Sequence, residues 1–233
     1  MRLPRRVLLL STLSAGAVVY LRLVYRFRDP VRLPVQQPGG QLLSPADGVV
    51  SFIRRIDLGT VAGYDRPLAQ LAATPAPLHE GWLVGVVVGP LDVHYTYLPT
   101  GGEVERTGHR AAEDQGSECH VPRLPQLLPL LAGQVTDLPH DLLPSEAVAS
   151  NERYSYTLSG EAGRVTVTQI ALTCPLQATT YLHEGDSVRA GNKATFLPEG
   201  GLVIVHLSAD WRPEVEVGQR VVGAQTTLAS LGG

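Results

Sequence analysis

The chain has 233 residues and a formal charge of −3, enough length for one large domain or two small ones and no charge excess to suggest nucleic-acid binding. Aromatics make up only 6%, against 24 glycines and 18 prolines, which favours many short strands joined by turns over long helices. Cys119 and Cys174 have neither metal-ligand spacing nor disulfide density, so no metal site is expected.

Residues 1–28 differ from the rest. Arg2, Arg5 and Arg6 precede the apolar run Val7–Leu21, and Arg22, Arg26 and Arg28 follow it. As a helix the run reaches about 22 Å, and about 27 Å if Arg22 snorkels outward, against a ~30 Å hydrocarbon core. We read a membrane anchor over 1–28. The rival readings are a secretory signal cleaved after Ala15-Gly16-Ala17 and a buried core helix. Arginines on both sides leave orientation open by the positive-inside rule. Residues 29–41 are rich in proline and glycine and read as an extended linker.

The remainder, 42–233, is expected to be one β domain. Asp47-Gly48, between apolar runs, is a hairpin signal. Trp82–Val88 reads as a strand, with a turn at Gly89-Pro90. In Asp92–Leu98 strict alternation places Asp92, His94 and Thr96 on one face, and Pro99–Gly102 should close the hairpin. Residues 106–150 are the hardest to read: a polar part, then a Pro/Leu-rich part, suggesting a surface flap or an irregular loop. Tyr154–Leu158 and Arg164–Leu172 read as strands around a turn at Ser159-Gly160. Farther on, Pro198–Gly201 is a turn feeding the apolar β-branched run Leu202–Leu207, the pattern of a strand buried on both faces. The segments Gly185–Gly191 and Val217–Gly223 look like two versions of one hairpin flanking that strand.

Several of these pieces occur in a telling order: Arg26-Phe27-Arg28-Asp29-Pro30, Ser44-Pro45-Ala46-Asp47-Gly48, Asp92-Val93-His94 with Pro99, Asn151-Glu152-Arg153, Val167-Thr168-Gln169-Ile170-Ala171 and Glu184-Gly185-Asp186-x-Val188. Together they resemble the short, membrane-associated branch of the phosphatidylserine decarboxylases, over roughly residues 22–231 apart from 106–150. The resemblance implies a mainly β (α+β) fold: packed antiparallel sheets with lipoyl/biotinyl-like hairpins, few helices and an N-terminal membrane-anchor helix. It implies a carboxy-lyase of phosphatidylethanolamine biosynthesis acting on membrane phospholipid, with the main domain on the cytoplasmic face. Enzymes of that family use a pyruvoyl group made from their own chain. A serine hydroxyl attacks the carbonyl of the preceding glycine, and elimination from the ester leaves the ketone at a new N-terminus. By this match Asp47 would orient and His94 would abstract the proton. Where the longer branch carries a second histidine, this chain has Tyr97.

The same match exposes a departure. Gly200-Gly201 stands where the family has Gly-Ser, so Gly201 occupies the place of the pyruvoyl-forming serine. Glycine has no hydroxyl, and without one no ester and no pyruvoyl can form. Ser208 lies about 23 Å along the strand, Thr195 lies upstream, and neither follows a glycine. Slipping the register to reach either would move apolar residues off the core face. Thr173–Gln177 replaces a basic pair suited to a phosphate. The leading expectation is therefore a homologue without its prosthetic group, binding phospholipid, self-associating or joining an active paralogue. If Asp47 and His94 stand beside residue 201, Gly201→Ser should restore cleavage. One rival is an active decarboxylase using another nucleophile or a subunit in trans. Another is a carrier module on Lys193, whose flanks do not suit such a lysine.

Overall fold

The computed structural model describes residues 12, 13, 16, 19, 20, 23–33, 40–74, 80–112, 141–161, 163–172 and 175–232. Cys119 and Cys174, most of the anchor reading and most of 106–150 lie outside them. Within the anchor region Thr12, Leu13, Gly16, Val19, Tyr20 and Leu23 have helical backbone. Among the described residues no helix is long and apolar enough to cross a membrane.

Among the described residues every pairing between strands is antiparallel. Its first half contains β1 (Gln41–Leu43), β2 (Gly48–Asp57), β3 (Thr60–Val61), β4 (Gly81–Val88), β5 (Tyr95–Tyr97) and β6 (Gly102–Arg110). A short helix, α1 (Glu146–Ser150), leads into β7 (Arg153–Gly160) and β8 (Gly163–Ile170). Then come β9 (Thr179–Thr180), β10 (Ser187–Val188), β11 (Lys193–Phe196), β12 (Gly201–Ser208), β13 (Trp211–Pro213), β14 (Arg220–Val221) and β15 (Thr227–Leu231). One large sheet runs β10-β6-β7-β8-β12-β4-β2-β14, with β3 beside β2. Two three-stranded sheets, β1-β15-β13 and β5-β11-β9, complete the fold.

Strand β12 lies at the centre of the large sheet, and both its faces are buried. Val203, Val205 and Leu207 pack with Trp211, Leu228 and Leu158. Leu202 and Ile204 face the opposite way, against Phe52, Leu83, Leu143 and Val148. A period of two along a strand with cores on both sides demands apolar residues at every position, which is why Leu202–Leu207 is an almost unbroken apolar run.

The two similar segments are not hairpins closed on themselves. Each lays down one short strand, β10 or β14, at opposite ends of the large sheet. Strand β10 pairs with Gly102 and Glu103, and β14 with Gly48 and Val49. The hydrogen bonds around them match. Gly185 N–H donates to Val104 O at 2.8 Å and Val104 N–H to Asp186 O at 2.9 Å; Gly218 N–H donates to Val50 O at 2.8 Å and Val50 N–H to Gln219 O at 2.9 Å. At the centre Leu43 N–H donates to Pro99 O at 2.9 Å and Tyr97 N–H to Pro45 O at 2.7 Å. The sequence similarity thus marks an internal pseudo-two-fold relation between β1-β2 with β13–β15 and β5-β6 with β9–β11.

Two hairpin readings are corrected. Asp47-Gly48 does not join paired strands: β1 pairs with β15, and β2 with β4 and β14. The pair forms a corner between sheets. Gly48 sits at φ +153°, where a Cβ would lie 2.0 Å from Val87 O, so a side chain is excluded. Likewise Asp92–Leu98 does not fold back on β4. Its strand portion, β5, pairs with β11. A triangle of buried side chains holds that small sheet to the large one: Thr96 Oγ1 is 2.7 Å from Thr195 Oγ1, Thr195 Oγ1 donates to Gln169 Oε1 at 3.0 Å, and Gln169 Nε2 donates to Thr96 Oγ1 at 3.1 Å. The polar start of 106–150 continues β6 as far as Arg110.

Gly85 on β4 leaves room for the Phe52 ring: a Cβ there would lie 2.4 Å from a ring carbon. Gly85→Val should lower stability by about 1–3 kcal/mol through overpacking. Thermal unfolding followed by circular dichroism checks it, and an unchanged midpoint would contradict this packing.

Candidate functional site

Asp47 projects from the β1–β2 corner. Its Oδ1 accepts from Gly223 N–H at 2.7 Å, and its Oδ2 from Arg32 Nη2 at 2.6 Å. Arg32 Nη1 reaches Oδ1 as well, making the pair bidentate, and donates to Gly223 O at 2.7 Å. Only 7% of the Arg32 side chain and 13% of the Asp47 side chain are exposed. Burial works against the Arg32 charge, but the hydrogen bond and charge of Asp47 outweigh it, so the guanidinium pKa rises.

His94 enters β5 from the turn at Gly89 and is buried. Its Nδ1 lies 3.1 Å from Pro198 O and its Nε2 3.2 Å from Gly89 O. A neutral imidazole can donate to only one of these carbonyls, whereas an imidazolium would satisfy both. Burial nevertheless lowers the His94 pKa; the two carbonyls and Asp92 oppose that shift, and Arg28 adds to it. Asp92 Oδ2 accepts from Gly89 N–H at 2.9 Å, and Arg220 Nη1 donates to Oδ1 at 3.0 Å. Burial raises the Asp92 pKa against these two donors, and nearby Asp47 raises it further.

His94 therefore rests on the turn that leads to position 201. Leu197 N–H donates to His94 O at 2.9 Å, and Gly200 N–H closes the turn on Leu197 O at 3.0 Å. Gly200 has φ +70°, where a Cβ would stand 2.3 Å from Val88 O. Gly201 has φ +154°, and a Cβ there would meet Ile170 O at 2.8 Å. The structure thus brings His94 to the Gly200-Gly201 turn, but the hydrogen bonds of Asp47 go to Arg32 and Gly223 and none goes to His94.

Other residues singled out from sequence have structural partners. The Tyr97 ring lies under Arg32, 5.0 Å from its guanidinium carbon. Its hydroxyl is buried without a hydrogen-bond partner among the described residues. Burial raises its pKa, with Arg32 opposing, so it stays protonated. Thr195 Oγ1 belongs to the triangle with Gln169, and Ser208, at the far end of β12, pairs in register with Gly81. The Lys193 ammonium pairs with Asp29 and lies 4.5 Å from the Tyr95 ring centroid. In Asn151-Glu152-Arg153, the fully buried Arg153 donates to Gln70 O at 2.6 Å and Ala149 O at 3.1 Å, tying helix α1 and the loop after β3 to β7.

Sequence reasoning missed Arg32 because it treated the preceding segment as a linker. It also missed His206, on β12, whose Nε2 is 3.3 Å from Thr168 Oγ1. The signal was visible: one polar residue within an apolar strand, which burial makes costly.

The family model for phosphatidylserine decarboxylase matches residues 19–229. A phosphatidylserine decarboxylase proenzyme from Saccharopolyspora erythraea is 29% identical over 217 residues, covering 93% of this chain and 76% of the relative.

Burial lowers the His206 pKa from 6.5 to about 4. The unfolded chain then binds more protons between those values. The contribution is present above about pH 6.5 and is lost as the pH falls toward 4, on the order of 3 kcal/mol. His206→Gln should flatten that part of the stability profile. Urea unfolding of both proteins across the window checks it, and parallel profiles would contradict it.

Proposed function

The chain belongs to the phosphatidylserine decarboxylase family, and from that premise we propose that it is a homologue that does not process itself and forms no pyruvoyl group. The observation that carries this reading is Gly201 at the head of β12. Family chemistry there needs a hydroxyl on the residue after a glycine, and the residues present do not fit the group. Neither substitute is suitably placed. Thr195 Oγ1 is tied to Gln169 inside the domain, and Ser208 ends the strand that Gly201 begins. His94 remains beside the turn, which supports common ancestry of the site. The bidentate hold of Arg32 on Asp47 supports the view that the acid no longer serves the histidine.

The role we assign is binding at a membrane surface containing phospholipid. Leu23, Val24, Phe27, Val31 and Leu33 present exposed apolar side chains. Exposed apolar side chains grouped along one short segment suit an interface with acyl chains. A carrier function on Lys193 is disfavoured by its place within strand β11, in register with Tyr97 and not at a hairpin tip.

On a denaturing gel and by intact mass the expressed protein should be one full-length chain, without a hydrazine-reactive ketone. Two pieces split at residue 200 would overturn the proposal. Gly201→Ser should also stay uncut, since its Cβ would crowd Ile170 O and Asp47 is taken by Arg32. Cleavage of that variant would show the acid and histidine still competent.

A further inference from the structure

Residues 26–32 follow the helical segment and do not run free. Arg26 Nη1 donates to Glu199 Oε1 at 3.0 Å. The Phe27 ring stacks on Phe196, with centroids 5.4 Å apart and planes 20° apart. Arg28 Nη2 donates to Leu91 O at 2.6 Å. Asp29 pairs with Lys193, and Arg32 grips Asp47 and Gly223 O.

The places gripped are those that build the candidate site. Phe196 and Glu199 flank the turn into Gly200-Gly201. Leu91 lies on the loop that sets Asp92 and His94. Asp47 is the acid itself.

These contacts are unequal. Arg26–Glu199 has side-chain exposures of 22% and 39%, and Lys193–Asp29 of 41% and 43%; ion pairs of that kind contribute little because water and salt screen them. Arg32–Asp47, at 7% and 13%, is bidentate and shielded, and removing one partner leaves a buried charge unmatched. Both carboxylate oxygens of Asp47 are engaged, one with Arg32 and Gly223 N–H, the other with Arg32.

We propose that residues 26–32 form a strap over the Asp47–His94 site and that the Arg32–Asp47 pair is its clasp, so that Asp47 in this chain fastens the strap instead of orienting His94. The strap adjoins the apolar N-terminal region, so its fastening also fixes how the site sits relative to whatever holds that region. Arg32 is a positioning residue: it acts through Asp47. The inference rests on the reading above only in taking Asp47 and His94 as the site, and its test reads the strap and not self-processing.

Hydrogen exchange by mass spectrometry on the full chain follows peptides within residues 24–33. Arg32→Ala and Asp47→Asn should each speed their exchange by about tenfold or more, and the double variant should add nothing to either. Modification of His94 by diethyl pyrocarbonate should speed up in parallel, while Arg26→Ala stays close to wild type. Wild-type exchange in Arg32→Ala, or additive effects in the double variant, would overturn the clasp. Arg32 lies outside the sheets, so Arg32→Ala carries the test even if Asp47→Asn does not fold.

Discussion

Strand β12 cannot slide. It pairs with β4 along its whole length, from Gly201↔Val88 to Ser208↔Gly81, and with β8 from Leu202↔Ile170 to His206↔Thr166. Both faces are sealed by apolar cores. A shift of one residue would exchange the two faces and drive His206 into the larger core. Position 201 is therefore fixed at the mouth of the strand, and the turn before it is fixed as well, because His94 and Val88 press on its backbone from the other side. The register of β12 thus sets where residue 201 stands and where Ser208 stands relative to it.

The pseudo-two-fold relation gives the site its asymmetry. Pro45 corresponds to Pro99 through the reciprocal bonds to Tyr97 and Leu43. Gly48 corresponds to Gly102, with φ of +153° and +147°. Between them Asp47 therefore matches Gly101. One corner carries a carboxylate that meets Gly223 N–H; at the other, a Cβ on Gly101 would lie 3.7 Å from Ala190 N, with no acid to use it. The same backbone frame thus presents two corners, and side-chain chemistry distinguishes them. The residues that hold the frame are themselves polar and buried, notably Gln169 and Arg153, and each answers its burial with several hydrogen bonds.

Within this frame Asp47 and His94 stand at different turns and share no hydrogen bond. Asp92 stands between their influences, feeling Asp47, holding Gly89 N–H and pairing with Arg220. Both ring nitrogens of His94 face carbonyl oxygens, Pro198 O and Gly89 O, and a neutral ring donates to one of the two, which holds the ring beside the glycines. The histidine is positioned by backbone and the acid by an arginine from another part of the chain, so the two can drift apart in function without either losing its place.

What the sequence determined was local and periodic. The run Leu202–Leu207 dictated a doubly buried strand, Trp82–Val88 a second, and Tyr154–Leu158 with Arg164–Leu172 a third and fourth, because side-chain alternation follows from strand geometry alone. It also determined that residue 201 has no side-chain hydroxyl. Tertiary structure decided which strands pair. Asp47-Gly48 and Gly89–Leu98 carry hairpin chemistry yet become corners, because Val87 O and the Thr96–Thr195–Gln169 triangle come from distant parts of the chain. It likewise decided that Arg32, within what reads as a linker, closes on Asp47. An ion pair depends on where two backbones meet in space, and no spacing along the chain encodes that meeting.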